Sequence, residues 1–160
     1  MSITKIHLRQ FRNYTDTTYE INEGVTIITG KNGIGKTNIL EALYVASTGK
    51  SFRDPDDQLT QHNKKWWRVV CTTDNEVRDI RYKDDQKSIT INDKTFKRLS
   101  TQHSIPVVLF EPDHLMLLHG SPQSRRKYID AAIAVITPGY ATIVRRFERV
   151  LAQRNRLLKA

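Results

Sequence analysis

The sequence has few of the residues that define several classes of protein. It contains a single cysteine, Cys71, which excludes an internal disulfide and any metal site built from cysteines. With 7 glycines and 5 prolines, it is neither collagen-like nor of low complexity. Its longest apolar run, residues 131–136, is far below the roughly 20 residues of a membrane-spanning helix. The first residues lack the apolar stretch of a secretory signal, so we expect a protein of the reducing cytoplasm.

Acidic residues are also scarce relative to basic ones. The chain has 26 Lys and Arg against 17 Asp and Glu, which gives a net charge of +9 over 160 residues. Residues 121–160 hold nine of the basic residues and only two acidic ones, Asp130 and Glu148. This concentration is typical of a nucleic-acid-binding surface, although a solvated helical face is the alternative. The composition is otherwise that of a globular protein, and the length predicts one domain or slightly more.

The order of apolar and polar residues predicts an α/β fold. Short runs rich in β-branched residues indicate strands at residues 3–8, 17–21, 25–29, 66–72, 77–83, 88–92, 95–98 and 105–110. Apolar residues at helical spacing indicate helices at residues 36–46, 122–136 and 140 to the end. Ser121 is a suitable N-cap for the second helix, and Thr-Pro-Gly at residues 137–139 separates it from the third. The closely spaced strands between residues 66 and 98 predict an antiparallel insert.

The clearest chemical motif is a glycine-rich segment between a predicted strand and a predicted helix. Residues 30–37 read Gly-Lys-Asn-Gly-Ile-Gly-Lys-Thr and match the P-loop pattern G-x-x-x-x-G-K-[ST]. The glycines allow successive backbone N–H groups to point at one anion, and the N-terminus of the following helix adds further donors. Lys36 supplies a cation for the β- and γ-phosphates, and the Thr37 hydroxyl is a hard oxygen ligand for Mg²⁺. The motif therefore predicts nucleotide binding.

Hydrolysis would also require an acidic residue at the end of a strand, as a partner for Mg²⁺. Glu111 follows the apolar run 107–110 and is the local candidate. Because Pro112 comes next and Asp113 could cap a short helix, a turn at this point is favoured over a catalytic acid. We therefore assign no catalytic residue within this chain.

Five segments, in this order along the chain, resemble the RecF family, a branch of the SMC-like ABC-type ATPases. They are Phe-Arg-Asn-Tyr at 11–14, the P-loop with its continuation Asn-Ile-Leu-Glu-Ala at 38–42, Ser-Phe-Arg at 51–53, Gly-Ser-Pro at 120–122 with Arg125, Arg126 and Asp130, and Gln-Arg-Asn-Arg-Leu-Leu-Lys at 153–159. A P-loop alone occurs in many proteins, whereas this ordered set covers the whole chain.

The resemblance implies a fold and a division into domains. Residues 1–120 are expected to form an incomplete P-loop ABC-type ATPase lobe, with a mixed sheet and an antiparallel insert. Residues 121–160 are expected to begin a helical arm domain. The Walker B strand and the signature motif of the family are absent from this sequence, which resembles the N-terminal half of the family's longer chains. The final helix has no C-cap signal, which agrees with that expectation.

The resemblance also implies a function in DNA repair and replication. RecF-like proteins bind ATP and Mg²⁺, form a homodimer around the ATP, bind DNA at single-strand gaps, and act with RecO and RecR in loading the recombinase, which feeds the SOS response. The nucleotide-binding residues carried over are Gly30, Lys31, Asn32, Gly33, Ile34, Gly35, Lys36, Thr37 and Asn38, with Arg12 and Asn13 nearby, and Thr37 would also bind Mg²⁺. The candidate DNA contacts, through phosphates, are Arg125, Arg126, Lys127, Arg145, Arg146 and Arg149.

Two other functions stay open at this point. The chain could be an ATP-switched docking module without catalysis, or another P-loop protein such as a small kinase. Slow ATPase activity is expected only for the full-length dimer, because half of the composite site is absent from this sequence.

Overall fold

The computed structural model describes residues 2–111 and 121–158. They form two compact units, Met1–Val107 and Val108–Ala160. The predicted boundary between residues 120 and 121 borders a segment outside the described residues, so that boundary stays a prediction. Among the described residues, no helix is both long enough and apolar enough to cross a bilayer.

The first unit is built on a six-stranded antiparallel sheet. Its strands are β1 (Ile3–Phe11), β2 (Tyr14–Glu20), β3 (Trp66–Thr73), β4 (Val77–Lys83), β5 (Gln86–Ile91) and β6 (Lys94–Phe96), in the spatial order β2-β1-β3-β4-β5-β6. The turns after β4 and β5 are Asp84-Asp85 and Asn92-Asp93, and all four residues have positive φ. Asn and Asp tolerate this left-handed conformation, which two-residue hairpin turns require. The structure confirms the α/β class and the antiparallel insert.

One α-helix covers one face of this sheet. Helix α1 (Lys36–Thr48) buries Ala42, Val45 and Ala46 in a core with alternate residues of β1, β3, β4 and β5. Trp67 lies at the centre of this core, fully buried, with its ring edge-on to Phe11 at 5.6 Å between centroids. The alternation of buried and partly buried positions along β3 is therefore what fixes the sheet face that receives α1.

Two strands expected from the sequence are not strands in the structure. Residues 25–29 and 105–110 carry no strand assignment, and no described strand pairs with either run. Val25 and Val108 are 88% and 90% exposed. β-branched residues favour a pleated surface that neighbouring strands must supply, and here the described residues supply none. The P-loop therefore follows a segment without regular secondary structure rather than a strand.

The second unit contains helices α2 (Pro122–Ile136) and α3 (Tyr140–Leu157), which pack on one another. Ser121 caps α2 by accepting a hydrogen bond from the N–H of Ser124, as the sequence predicts. The Tyr140 hydroxyl donates to Asp130 at 2.7 Å and ties the two helices together. Helix α3 has no buried residue, and its apolar residues Ile143 and Phe147 are both 65% exposed.

Candidate nucleotide-binding site

The glycine-rich segment forms an open loop that leads into the N-terminus of α1. Gly33 and Gly35 have φ of 81° and 108°, values that residues with a Cβ rarely adopt. No side chain caps α1, its first turn has no acidic residue, and the N–H groups of Lys36 and Thr37 donate to no atom of the described residues. The Thr37 hydroxyl lies in this first turn. Free N–H groups and the positive end of the helix dipole together make an anion-binding terminus.

The Lys36 side chain folds back across the same loop. Its Nζ donates to the carbonyl oxygens of Gly30 and Lys31, at 2.7 and 2.9 Å. An ammonium group has three donors, so one remains for a ligand in the loop. The Lys36 ammonium group is thus held at the loop rather than extended into solvent.

The turn between β1 and β2 braces the loop from outside. Asn13 Nδ2 donates to the Ile34 carbonyl at 2.8 Å, and the Tyr14 hydroxyl donates to the Gly35 carbonyl at 3.2 Å. A Cβ on Gly35 would lie 2.6 Å from the Asn13 side chain, so only glycine fits at this contact. Asn38 Nδ2 donates to Asn13 Oδ1 at 2.8 Å and connects the same turn to α1. Asn13 therefore links the P-loop to helix α1, which follows the loop.

A buried carboxylate lies one turn further along α1. Glu41 is fully buried, and its two oxygens accept hydrogen bonds from Arg12, Arg53 and Ser51. Arg12 also pairs with Asp54 and donates to the Gln58 carbonyl. Burial alone would raise the pKa of Glu41, but the hydrogen bonds from Arg12, Arg53 and Ser51 outweigh it and lower that pKa to about 2. The carboxylate is thus ionised at neutral pH and joins the β1–β2 turn to the segment after α1.

A cavity of about 590 Å³ opens beside this network. It is lined by Arg12, Asn13, Asn38 and Arg53 together with residues 58 and 60–62. Gln61 Oε1 is buried without a hydrogen-bond partner among the described residues and is not exposed to the cavity. The cavity is polar and adjoins the start of α1, so it can receive the part of a nucleotide that extends beyond the β- and γ-phosphates.

The structure brings together the eleven residues that the resemblance assigns to the nucleotide. The P-loop residues, Asn38, Arg12 and Asn13 all lie at the β1–β2 turn and the start of α1. Sequence reasoning missed the connecting residues Glu41, Ser51 and Arg53, although all three lie in segments that carry the resemblance. The signal that could have found them is charge: a glutamate on the helix and an arginine in the following loop each stand next to apolar residues.

The predicted DNA contacts lie on the second unit. Arg125, Arg126 and Lys127 are exposed near the start of α2, and Arg145, Arg146 and Arg149 are exposed on α3. Arg145 Nε donates to the Ala141 carbonyl one turn earlier. Glu111 follows a segment without regular secondary structure, while Asp113 lies outside the described residues.

Comparison with known proteins places this chain in a family. A family model described as an AAA ATPase domain matches residues 1–149. The chain is 36% identical over 159 residues to the DNA replication and repair protein RecF of Acholeplasma laidlawii. It is 34% identical over 166 residues to the RecF protein of Shewanella halifaxensis, and 33% over 166 residues to that of Bacillus cytotoxicus. These alignments cover 98–100% of this chain but only 44–46% of each relative.

Solved structures give the same result. The recombination mediator protein RecF with ATP, from the RecFOR pathway, matches with a TM-score of 0.76 and 31% identity over 98% of this chain. The same mediator described with ATPrS matches with a TM-score of 0.80 and 30% identity over 99% of the chain. The chain spans less than half the length of these proteins, 44% and 45%. The open P-loop, the turn that braces it and the matches across nearly every residue lead to one conclusion: the chain belongs to the AAA ATPase domain family and is similar to the N-terminal half of RecF.

Proposed function

We propose that this chain binds ATP, with the β- and γ-phosphates in the loop of residues 30–37. The observation that carries the proposal is the set of free donors at one point. The N–H groups of Lys36 and Thr37 and the remaining Lys36 Nζ donor all belong to an uncapped helix N-terminus with no acid in its first turn. ATP is also the ligand named for a structural relative, RecF, which supports a nucleotide of this chemical class.

The cavity next to the loop supports the assignment of the rest of the nucleotide. It offers the polar side chains of Arg53 and Asn38 to a ligand. The β- and γ-phosphates bind at the loop, and the α-phosphate and the nucleoside occupy this cavity. Arg12 contributes by shaping the cavity wall, since its guanidinium already donates to Glu41, Asp54 and Gln58.

Mg²⁺ would be held through the Thr37 hydroxyl. The described residues contain no cluster of three or more His, Cys, Asp or Glu side chains suited to a metal ion. Among the described residues, Thr37 is the ligand that the P-loop pattern assigns to Mg²⁺, and phosphate oxygens and water would supply further ligands of its octahedral shell. This fits an ion that arrives with the nucleotide and neutralises phosphate charge.

We further propose a role in DNA repair of the RecF type, in the cytoplasm. The basic residues on α2 and α3 contact DNA phosphates at single-strand gaps, and the partners are RecO- and RecR-type mediators and, in an ATP-dependent homodimer, a second RecF-type chain. The supporting observations are the family membership, the RecFOR pathway named for the structural relatives and the exposure of the six basic residues. Loading of recombinase and the SOS response follow from the same role.

The test is calorimetric titration of the chain with ATP and Mg²⁺, compared with the same titration of the Lys36→Ala variant. We expect saturable binding that Lys36→Ala removes. A matched control is Lys50→Ala, which removes a lysine just after α1 and outside the loop. No saturation with the unaltered chain contradicts the proposal.

The same samples are then assayed for release of phosphate. Binding without turnover agrees with a nucleotide site that lacks its catalytic partner residues, and also with a non-catalytic docking module. Transfer of phosphate to a small acceptor would instead identify a kinase.

A further inference from the structure

The carboxylate of Glu41 lies behind the cavity rather than in it. Glu41 is fully buried and does not line the cavity, whereas its partners Arg12 and Arg53 both do. Any influence of Glu41 on a bound ligand must therefore pass through these two guanidinium groups.

The two arginines differ in how much of their hydrogen-bonding capacity the protein uses. Arg12 donates through all three nitrogens, to Glu41, Asp54 and the Gln58 carbonyl. Arg53 donates through Nη2 alone, to Glu41 and Asn38, while its Nε and Nη1 donate to no described residue. The Arg53 side chain is 34% exposed, compared with 18% for Arg12. Arg53 thus has donors available in the cavity, and Arg12 has almost none.

Arg53 is also connected to the P-loop through a chain of amides. Its Nη2 donates to Asn38 Oδ1 at 2.9 Å, and Asn38 Nδ2 donates to Asn13 Oδ1 at 2.8 Å. Asn13 Nδ2 in turn donates to the Ile34 carbonyl at 2.8 Å. Each amide accepts from one neighbour and donates to the next, so the orientation of Arg53 and the position of the loop are set together.

Stability alone is a weak reason for such an arrangement. Burying a carboxylate is costly, and apolar residues of similar size are often as good or better for stability than a buried ion pair. A charged carboxylate with several hydrogen bonds instead fixes the orientation of the guanidinium that it binds. A planar guanidinium held at one end presents its remaining N–H groups at a fixed angle. Those N–H groups are suited to the anionic oxygens of a nucleotide.

We propose that Glu41 is a positioning residue of the nucleotide site, which holds Arg53 so that its free N–H groups meet an anionic oxygen of the bound nucleotide. The inference rests on the ATP binding proposed above. Arg53 makes the contact, and Glu41 acts through it.

The test compares ATP and Mg²⁺ binding by Glu41→Gln, Arg53→Met and the double variant of the full chain. Glu41→Gln keeps the shape of the side chain and removes its charge. Each single variant is expected to weaken ATP binding about tenfold, the usual effect of losing a hydrogen bond to a charged group. The double variant is expected to bind no more weakly than Arg53→Met alone, because Arg12, the other arginine that Glu41 binds, has almost no donor left for a ligand.

A matched control separates positioning from general loss of structure. Asp79 is also a largely buried carboxylate bridging two arginines, Arg68 and Arg81, with 15% exposure. It lies on β4 next to the core residue Ile80, and so on the sheet face opposite α1. Asp79→Asn is expected to lower the melting temperature and leave ATP affinity unchanged.

The possible outcomes give distinct conclusions. Unchanged ATP binding by Arg53→Met overturns the inference, and it does so even where Glu41→Gln fails to fold. A further full tenfold loss on adding Glu41→Gln to Arg53→Met also overturns it, because Glu41 then acts by another route. If Lys36→Ala abolishes ATP binding while Glu41→Gln and Arg53→Met leave it unchanged, the inference is wrong but the proposed function stands. If the unaltered chain does not bind ATP, the inference and the proposed function are both wrong.

Discussion

The guanidinium of Arg12 binds the carboxylate of Glu41 through two parallel hydrogen bonds, each 2.8 Å long. Arg12 has a φ of 53° and lies in the turn between β1 and β2, while Glu41 is on α1. The pair therefore joins two parts of the chain that are distant in sequence, directly beneath the cavity. Because the pair is largely shielded from water, its loss has a large effect on the free energy of unfolding.

Replacing Arg12 by Ala leaves the Glu41 carboxylate with a missing partner in a buried position. We expect the free energy of unfolding to fall by about 3 kcal/mol, as when one member of a buried ion pair is removed. Chemical denaturation measures the change. Arg9→Ala is the control, since Arg9 forms an exposed pair with Asp16 and its loss should cost less than about 1 kcal/mol. Equal losses for both variants would contradict the importance of burial.

Acid should destabilise the chain through Glu41. Burial alone would raise the pKa of Glu41, but the hydrogen bonds from Arg12, Arg53 and Ser51 lower it to about 2 from 4.5. A carboxyl group with a lowered pKa stabilises the fold above its unfolded pKa, and this contribution is lost as the pH falls through the folded value. We expect the loss of about 3 kcal/mol between pH 5 and pH 2.

Unfolding by urea at several pH values measures this effect. The Glu41→Gln variant should be less stable at pH 6 but should lose less stability than the unaltered chain as the pH falls. Parallel pH profiles for the two chains would show that another group controls the acid response.

Gly35→Ala tests the contact between the P-loop and the β1–β2 turn. The added Cβ would lie 2.6 Å from the Asn13 side chain, at a φ of 108° that alanine disfavours. We expect weaker ATP binding together with lower stability. Gly24→Ala is the control for the backbone alone, because Gly24 also has positive φ but has nothing within 4 Å of the added Cβ. Adding Asn13→Gly to Gly35→Ala should restore part of the stability, which a purely conformational effect would not allow.

Neutralising the basic face of α3 tests the proposed DNA contacts. With Arg145, Arg146 and Arg149 changed to Gln, DNA binding should weaken. Its dependence on salt concentration should also become less steep, by about one unit of slope for each phosphate that is no longer neutralised. Fluorescence anisotropy with a gapped duplex measures both quantities. Arg81→Gln, an exposed arginine of the first unit, is the control. An unchanged salt slope would contradict the proposed DNA contacts and would mean that the α3 arginines form a solvated helical face.

Much of the first unit could be predicted from local sequence patterns. The antiparallel strands and α1 follow from alternation and helical spacing, and the predicted bounds of β4 match those observed. The P-loop was recognisable because its chemistry is encoded in eight consecutive residues. By contrast, the Glu41 network combines residues 12, 41 and 51–54, and no local pattern shows that three separate segments meet.

The prediction of strands at residues 25–29 and 105–110 was wrong for a related reason. Their composition predicts a strand correctly only where neighbours provide hydrogen bonds and apolar cover, and sequence alone does not reveal whether such neighbours are present. The exposure of Ile27 and Phe110, 79% and 73%, shows that the described residues do not provide that cover.

One of these two unpaired runs, residues 25–29, has a practical consequence for handling the protein. A β-branched segment with unpaired backbone groups is a template on which another copy of the same segment can add, and charged residues or prolines usually prevent such growth. Residues 25–29, Val-Thr-Ile-Ile-Thr, contain neither. Concentrated solutions of this chain should therefore self-associate slowly into β-rich aggregates, and a lysine placed at the exposed Ile27 should delay their appearance.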